Sequence, residues 1–310
     1  MDALADLLDG AHARGGLFNL TLLDPPWSLR IADGAPLALL TVLRGHAWVV
    51  PDGRPPVLVS TGDVAIMCGT DPYTVADDPV TAPQFVIHSD GYYTDVDGVD
   101  VSDEVKLGLR TCGHSMDAST VLVSGTYQVG GDVGERLLSA LPPVLVVPAQ
   151  DARGPVMDMV MAEVTKDNPG QQVVLDRLLD LALITTLRAW FARPEAEAPG
   201  WYRAQSDPIV GSALRLLHDT PAYPWTVAAL AAKAGASRAA LARRFGELVG
   251  EPPMSYLANW RIALAADLLR DTDATVEAIA RQVGYANSFA LSVAFKRLRG
   301  VSPSRHRLAG

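Results

Sequence analysis

Near the end of the chain Phe289, Val293 and Lys296 are spaced four and three residues apart, so a helix places them on one face while Leu291, Phe295 and Leu298 form the opposite seam. The seam is a core signal. The other face brings an aromatic ring, a branched aliphatic side chain and a cation together toward solvent. Such a set suits a nucleic-acid duplex, where apolar groups meet thymine methyls and Lys296 and Arg297 meet phosphates. Phe289 could instead tuck against Tyr285 or the preceding helix. A second face of this kind lies upstream. With Leu241, Phe245 and Leu248 turned inward, Arg243 centres the outward face, Ala239 and Ala242 lie beside it, and Arg238 and Arg244 flank it. Arg243 is then placed for a bidentate contact to guanine and its flanking arginines for phosphate.

The first half of the chain carries a different set of reactive side chains: His46, His88, Cys112 and His114, with Trp27, Trp48, Tyr73 and Phe85 as pocket walls. These eight are the candidates for binding a small effector. A lone His or Trp on an apolar strand is more often a satisfied core residue. The Cys112-Gly-His114 pair stands out, because an adjacent imidazolium lowers a thiol pKa and suits redox or metal sensing. Cys68 and Cys112 lie in MCGT and TCGH, without CxxC or zinc-type spacing, so neither a disulfide framework nor a bound metal is expected.

The elements that position these residues follow from period and punctuation. TVAALAAKAG (226–235) and TVEAIARQVG (275–284) are two copies of one pattern, each followed by a second short helix. A short helix, a glycine turn and a crossing helix is the helix-turn-helix arrangement, and a tandem pair is far more specific than one. Thr226, Ser237 and Thr275 stand at the N-cap positions. Between the copies, a helix from about Met254 to Leu269 would span about 24 Å at 1.5 Å per residue. With the turns at its ends it would hold the two second helices roughly 34 Å apart, one turn of DNA.

From Leu17 to about Val129, short β-branched runs are cut by DPP, PDGRPP, TGD and DDP, which predicts a β-sandwich or barrel. Helices are predicted over 134–141, 155–166 and 171–192. The last carries an apolar stripe of Val174, Leu178, Leu181, Leu187 and Phe191 that must be covered, by its own barrel or by a second subunit. RPEAEAPGWYRAQSDP (193–208) reads as a linker. The domain expectation is a sensing barrel over 1–132, a helical segment for dimerisation over 133–192, a linker over 193–206 and a nucleic-acid-binding domain over 207–310.

Charge is divided the same way. The 310-residue chain has a net charge of −9. From Asp207 onward there are 13 Lys/Arg against 8 Asp/Glu, a balance of +5, and the remainder has 13 against 27, a balance of −14. The acidic first half opposes a nonspecific architectural DNA binder, which would be basic throughout. The N-terminal MDALADLLDG lacks a basic leader region, and no apolar run reaches the roughly 18 residues of a spanning helix. A soluble, cytoplasmic chain without a membrane partner is expected.

The C-terminal hundred residues resemble the paired helix-turn-helix domain of the AraC/XylS family of transcription regulators, above all in GYANSFALSVAFKRLRGVSPSRHR and in GASRAALARRFGELVGEPPMSYLANWRIALAADLL. The resemblance implies that Ala239, Ala242 and Arg243 in the first unit, and Ser288, Phe289, Ser292 and Val293 in the second, face bases. Two departures stand out: Ala239 and Ala242 replace longer polar readers, and Val293 stands where arginine is frequent. GHAWVV followed by STGDVAIM resembles, less specifically, the cupin-like sensing domains of one branch of that family. The expected architecture is thus an all-β cupin-like barrel with appended helices, followed by an all-α tandem helix-turn-helix domain. The expected function is a sequence-specific regulator, not an enzyme. Its barrel would sense a small molecule or stress signal, and its partners would be operator DNA, a second copy of the chain, RNA polymerase and an unidentified effector. The alternative is a cupin-type oxidoreductase or isomerase fused to a DNA-binding module. That chemistry needs two histidines and a carboxylate on a metal, and GHAW supplies only His46.

Overall fold

The structure, a computed structural model, describes residues 11–12, 19–89, 91–108, 110–152, 155–164, 166, 168–193, 196 and 198–309. Expectations falling on residues 1–10, on Leu17 and Phe18, on Thr165 and on linker positions 194, 195 and 197 lie outside the described residues. The described chain divides into a β unit, 11–129 with 141–196, and a helical unit, 130–140 with 198–309.

In the β unit the turn clusters separate short strands. These are β1 (Ala11–His12), β2 (Asn19–Leu23), β3 (Ser28–Ala32), β4 (Leu37–Arg44), β5 (His46–Pro51), β6 (Val57–Ser60) and β7 (Val64–Cys68). They continue with β8 (Tyr73–Ala76), β9 (Phe85–His88), β10 (Tyr93–Asp95), β11 (Lys106–Gly108), β12 (Thr111–Gly113), β13 (Thr120–Val129) and β14 (Val144–Val147). They form two sheets. One runs β11-β12-β2-β13-β4-β7-β14, with β1 added to β13; the other runs β10-β9-β3-β8-β5-β6. Trp27, Leu40, Val42, Val49, Val59, Val75 and Leu122, drawn from both sheets or the turn beside them, pack into one core. Each fully buried aliphatic side chain there contributes about 1.5–3 kcal/mol.

Besides one-turn helices at Ser102–Val105, Ala149–Ala152 and Gly200–Arg203, the helices are α1 (Gly131–Leu138), α2 (Pro155–Val164), α3 (Gln171–Phe191), α4 (Val210–Asp219) and α5 (Val227–Lys233), then α6 (Arg238–Val249), α7 (Pro253–Asp271), α8 (Val276–Gln282), α9 (Ser288–Arg299) and α10 (Pro303–Ala309). Helix α3 belongs to the β unit, and its expected stripe splits. Leu175, Leu178, Leu179, Leu183, Leu187 and Phe191 are buried, whereas Val173, Val174 and Leu181 are 62%, 44% and 43% exposed. The helix is apolar on two sides, so periodicity alone misplaced its inner face. The Tyr127 hydroxyl, donating to the Leu179 carbonyl at 2.8 Å, fixes its rotation.

The helical unit repeats one local design. Thr226, Ser237, Thr275 and Asn287 cap α5, α6, α8 and α9, each accepting from the backbone N–H three residues on. Gly284, at φ 88°, makes the second turn, and a Cβ there would stand 2.7 Å from the Ala222 Cα. Helix α7 serves two cores. Its first half sends Tyr256 and Leu257 to a core with Leu214, Leu217, Leu230, Leu241 and Phe245; its second half sends Ile262, Ala265, Ala266 and Leu269 to one with Ile279, Leu291 and Phe295.

Two boundaries differ from expectation. Trp201 packs on the first core and Ala204 is fully buried in it, so 198–206 folds with the helical unit rather than forming a free linker. Helix α1, grouped by sequence with the helices of 133–192, also belongs to the helical unit. Its apolar Val133 and Leu137 are buried there.

Candidate nucleic-acid interface and barrel cavity

On α9, Leu291 and Phe295 are fully buried, and Phe289 and Val293 point away at 77% and 54% exposure. Phe289 is therefore not tucked against Tyr285. Leu298, expected in the seam, is 40% exposed and is not part of the core that Leu291 and Phe295 join. Lys296 and Arg297 are exposed, Ser288 and Ser292 half-buried. Among the described residues no ion pair holds Lys296, Arg297 or Arg238. The outer face of α9 thus offers apolar contact area bordered by free cations.

Helix α6 buries Leu241 and Phe245 and exposes Arg238, Ala239, Ala242, Arg243 and Arg244; Leu248 is half-buried. Arg243 pairs with Glu247 at 3.0 Å, both side chains well exposed. Such a surface pair is worth about 0.3–0.5 kcal/mol and is readily exchanged for a base or phosphate. Arg244 is different. Asp207 holds its guanidinium at 2.6 Å while capping α4 through the N–H groups of Ile209 and Val210. Arg244, expected from its spacing as a phosphate ligand, is thus already engaged within the unit, with part of its side chain still exposed.

Several contacts that aim the two helices were not apparent from spacing. Glu277 accepts the Ser288 N–H at 2.7 Å, joining α8 to the start of α9, and this bond chiefly holds its carboxyl below the usual range. Arg261 donates to the Pro221 and Tyr223 carbonyls, and Arg307 to those of Leu269 and Ala274. These cations brace the unit. The only signal for Glu277 in sequence is an acid in the first turn of a helix, which a dipole preference already explains.

In the β unit a cavity of about 60 Å³ lies between the sheets, walled by Leu29, Ile31, Ala38, Leu40, Met67 and Ile87, with Asn19, Thr21, Tyr73, Tyr93 and Ser124 among its polar groups. That is room for about two waters or a few heavy atoms. Of the eight effector candidates only Tyr73 lines it directly. Cys112 lies behind the wall, its thiol 3.0 Å from the Tyr93 hydroxyl and 3.6 Å from that of Thr21. Trp27 is core, and Trp48, Phe85 and His88 are half-buried away from the cavity lining. His88 bonds the Thr94 hydroxyl, exposed His46 bonds the Asp77 carbonyl, and exposed His114 accepts the Asp24 N–H.

The Cys112–His114 pair does not form. Burial pushes the Cys112 thiol up, against the lowering effect of its bonds to Tyr93 and Thr21, and His114 is committed to Asp24. Gly113, at φ 133°, ends the strand between them. Burial likewise pushes Cys68 up to about 12. Neither thiol is activated. Among the described residues no group of His, Cys, Asp and Glu could hold a metal ion, and no helix is long and apolar enough to cross a membrane.

Residues 2–192 match the family described as Cupin, and residues 230–309 match that described as Helix-turn-helix domain. An AraC-like transcription regulator of Streptomyces lividans is 33% identical over 312 residues, spanning 99% of this chain and 98% of that protein. The HTH-type transcriptional regulator AlkR of Acinetobacter baylyi is 27% identical over 314 residues, 99% of each chain. Among solved structures, the DNA-binding domain of AdpA in complex with a target DNA is 33% identical, covering 34% of this chain and 93% of its own at a TM-score of 0.32.

Proposed function

The chain belongs to the AraC-like transcription regulators, a cupin-like domain followed by a helix-turn-helix DNA-binding domain, and on that premise we propose how it reads DNA and what modulates it. Helices α6 and α9 enter successive major grooves of an operator. Phe289 and Val293 meet thymine methyls, Arg243 gives up Glu247 for a guanine, and Arg238, Lys296 and Arg297 hold phosphates. Ala239, Ala242, Ser288 and Ser292 face the bases with small side chains, so sequence discrimination rests on few contacts. The observation that carries this reading is the exposure of Phe289 and Val293 beside Lys296, on a helix whose Leu291 and Phe295 are fully buried on the other face.

The barrel cavity supports a modulating role. Its mostly apolar wall, with hydroxyl and amide groups and the Asp33 carboxylate at one place, suits a compact, largely apolar ligand with a hydrogen-bonding group, with Met67 able to yield to a larger body. The exposed apolar face of α3, Val173, Val174 and Leu181, supports pairing of two copies of the chain through that helix. Contact with RNA polymerase would follow from occupancy of a promoter. Titrating the full chain against its own promoter region at rising salt tests the DNA reading. Affinity should fall steeply with salt on all DNA, and a preferred site should stay tighter than unrelated sequence.

A further inference from the structure

Helix α1 follows directly on β13, yet it folds within the helical unit, and the chain then returns to β14. Its seat there is built from charge and close approach. Asp267 of α7 accepts the N–H groups of Asp132 at 2.6 Å and Val133 at 3.2 Å, supplying the N-terminal cap that α1 lacks from its own sequence. Gly131, at φ 82°, lies so close that a Cβ would stand 2.7 Å from the Asp267 carboxylate. Four residues on from Asp132, the Arg136 guanidinium lies over the rings of Tyr256 and Trp260 at 5.5 and 5.9 Å.

Asp132 itself is 4% exposed, and its carboxylate is the convergence point of three helices. Oδ1 pairs with Arg299, the last residue of α9; Oδ2 stands 3.5 Å from Arg270 of α7 and 3.8 Å from His306 of α10. His306 in turn meets the ring of Phe295, the buried anchor of α9, at 5.3 Å. Without Asp132 the Arg270 and Arg299 side chains, 25% and 31% exposed, lose the carboxylate they share, and Arg270 keeps Asp267. Two like charges then repel across the gap it leaves, and the ends of α7 and α9 that carry them lose the anion that held them together. No helix of the first helix-turn-helix unit shares in this carboxylate.

We propose that α1 is a strap through which the chain of the barrel holds the second helix-turn-helix unit, with Asp132 locking α7, α9 and α10 together. Docking of the strap orders α9; its release loosens the second unit, whose helices hold the Asp132 carboxylate, whereas the first core keeps its own packing and loses the Arg136 contact on the Tyr256 ring. A change in the β13–β14 region therefore reaches one DNA-reading helix and not the other. This rests on the DNA-binding reading only for its consequence, not for its mechanics.

Two variants of the full-length chain test it. Asp132→Asn removes the charge; Gly131→Ala keeps every charge and strains the strap, by crowding the Asp267 carboxylate and by placing a side chain at positive φ. Hydrogen exchange is followed by mass spectrometry with and without operator DNA. Both variants should speed exchange across 288–309 by about tenfold or more, leave 238–249 unchanged, and weaken operator affinity by about tenfold. Unchanged exchange in 288–309 would overturn the strap, as would an increase in affinity, which would make Asp132 only a repelling charge. Unfolding of the whole chain in both variants would also overturn it, because a strap releases only the second unit. If the wild-type chain bound no DNA while the exchange result held, the strap would stand and the DNA reading would fall.

Discussion

Asp207 and Arg244, 37 residues apart, are joined at 2.6 Å so that one carboxylate both starts α4 and fixes the side of the first recognition helix. Burial pushes the Asp207 carboxyl up, but the Val210 N–H, the Arg244 guanidinium and the Ile209 N–H outweigh it and hold it below its ordinary value. Its ionised form is thus favoured by folding. The stability it contributes is present above about pH 4 and is lost as the pH falls through the depressed value. Asp207→Ala should lower the stability of the helical unit by about 1–2 kcal/mol at neutral pH, the scale of a lost cap. Melting curves of the two proteins should converge at low pH.

Arg243 of α6 and Lys296 of α9 should separate by what each is proposed to touch. Arg243→Ala removes a base contact and should cost about 1–3 kcal/mol on the preferred operator, with little change on unrelated DNA. Lys296→Ala removes a phosphate contact and should weaken all sequences alike, reducing the magnitude of the salt slope by about one. Fluorescence titrations at several salt concentrations on both DNAs check the pair.

Pairing through α3 predicts that Val174→Glu with Leu181→Glu converts a dimer to a monomer in sedimentation, with circular dichroism unchanged. Leu178 is buried against the β unit. Its replacement by a polar residue should unfold the barrel rather than separate subunits, at a cost of several kcal/mol.

An effector bound in the cavity predicts that filling the cavity abolishes its effect without unfolding the barrel. Ala38 is buried on the cavity wall, and Ala38→Leu should cost about 1–3 kcal/mol of stability. DNA affinity should be retained while the response of a promoter reporter to the inducing condition is lost.

What was legible in the sequence was local. The caps at Thr226, Ser237 and Thr275 need only a side chain and the N–H three residues on, and the outward turn of Phe289 and Val293 needs only the helical period. What escaped depends on residues brought together by folding: Asp207 with Arg244, Glu277 with Ser288, and Asp132 with Arg299 are distant in the chain and carry no periodic trace. In the barrel, a His or Trp in an apolar strand says nothing about which sheet face it takes. Only Tyr73 of the eight candidates therefore met the cavity. Cys112 and His114 were close in sequence, but burial took one and the Asp24 backbone took the other.

The central claim is that the exposed face of α9 reads DNA, and Phe289→Ala tests it most directly when one preparation is both melted and titrated. At 77% exposure Phe289 contributes little to the core, so the melting temperature should barely change. Affinity for the preferred operator should fall by about 1–3 kcal/mol, and affinity for unrelated DNA much less. A loss of about 3–5 kcal/mol in stability with unchanged sequence preference would contradict the account, because that is the behaviour of a truncated core phenylalanine.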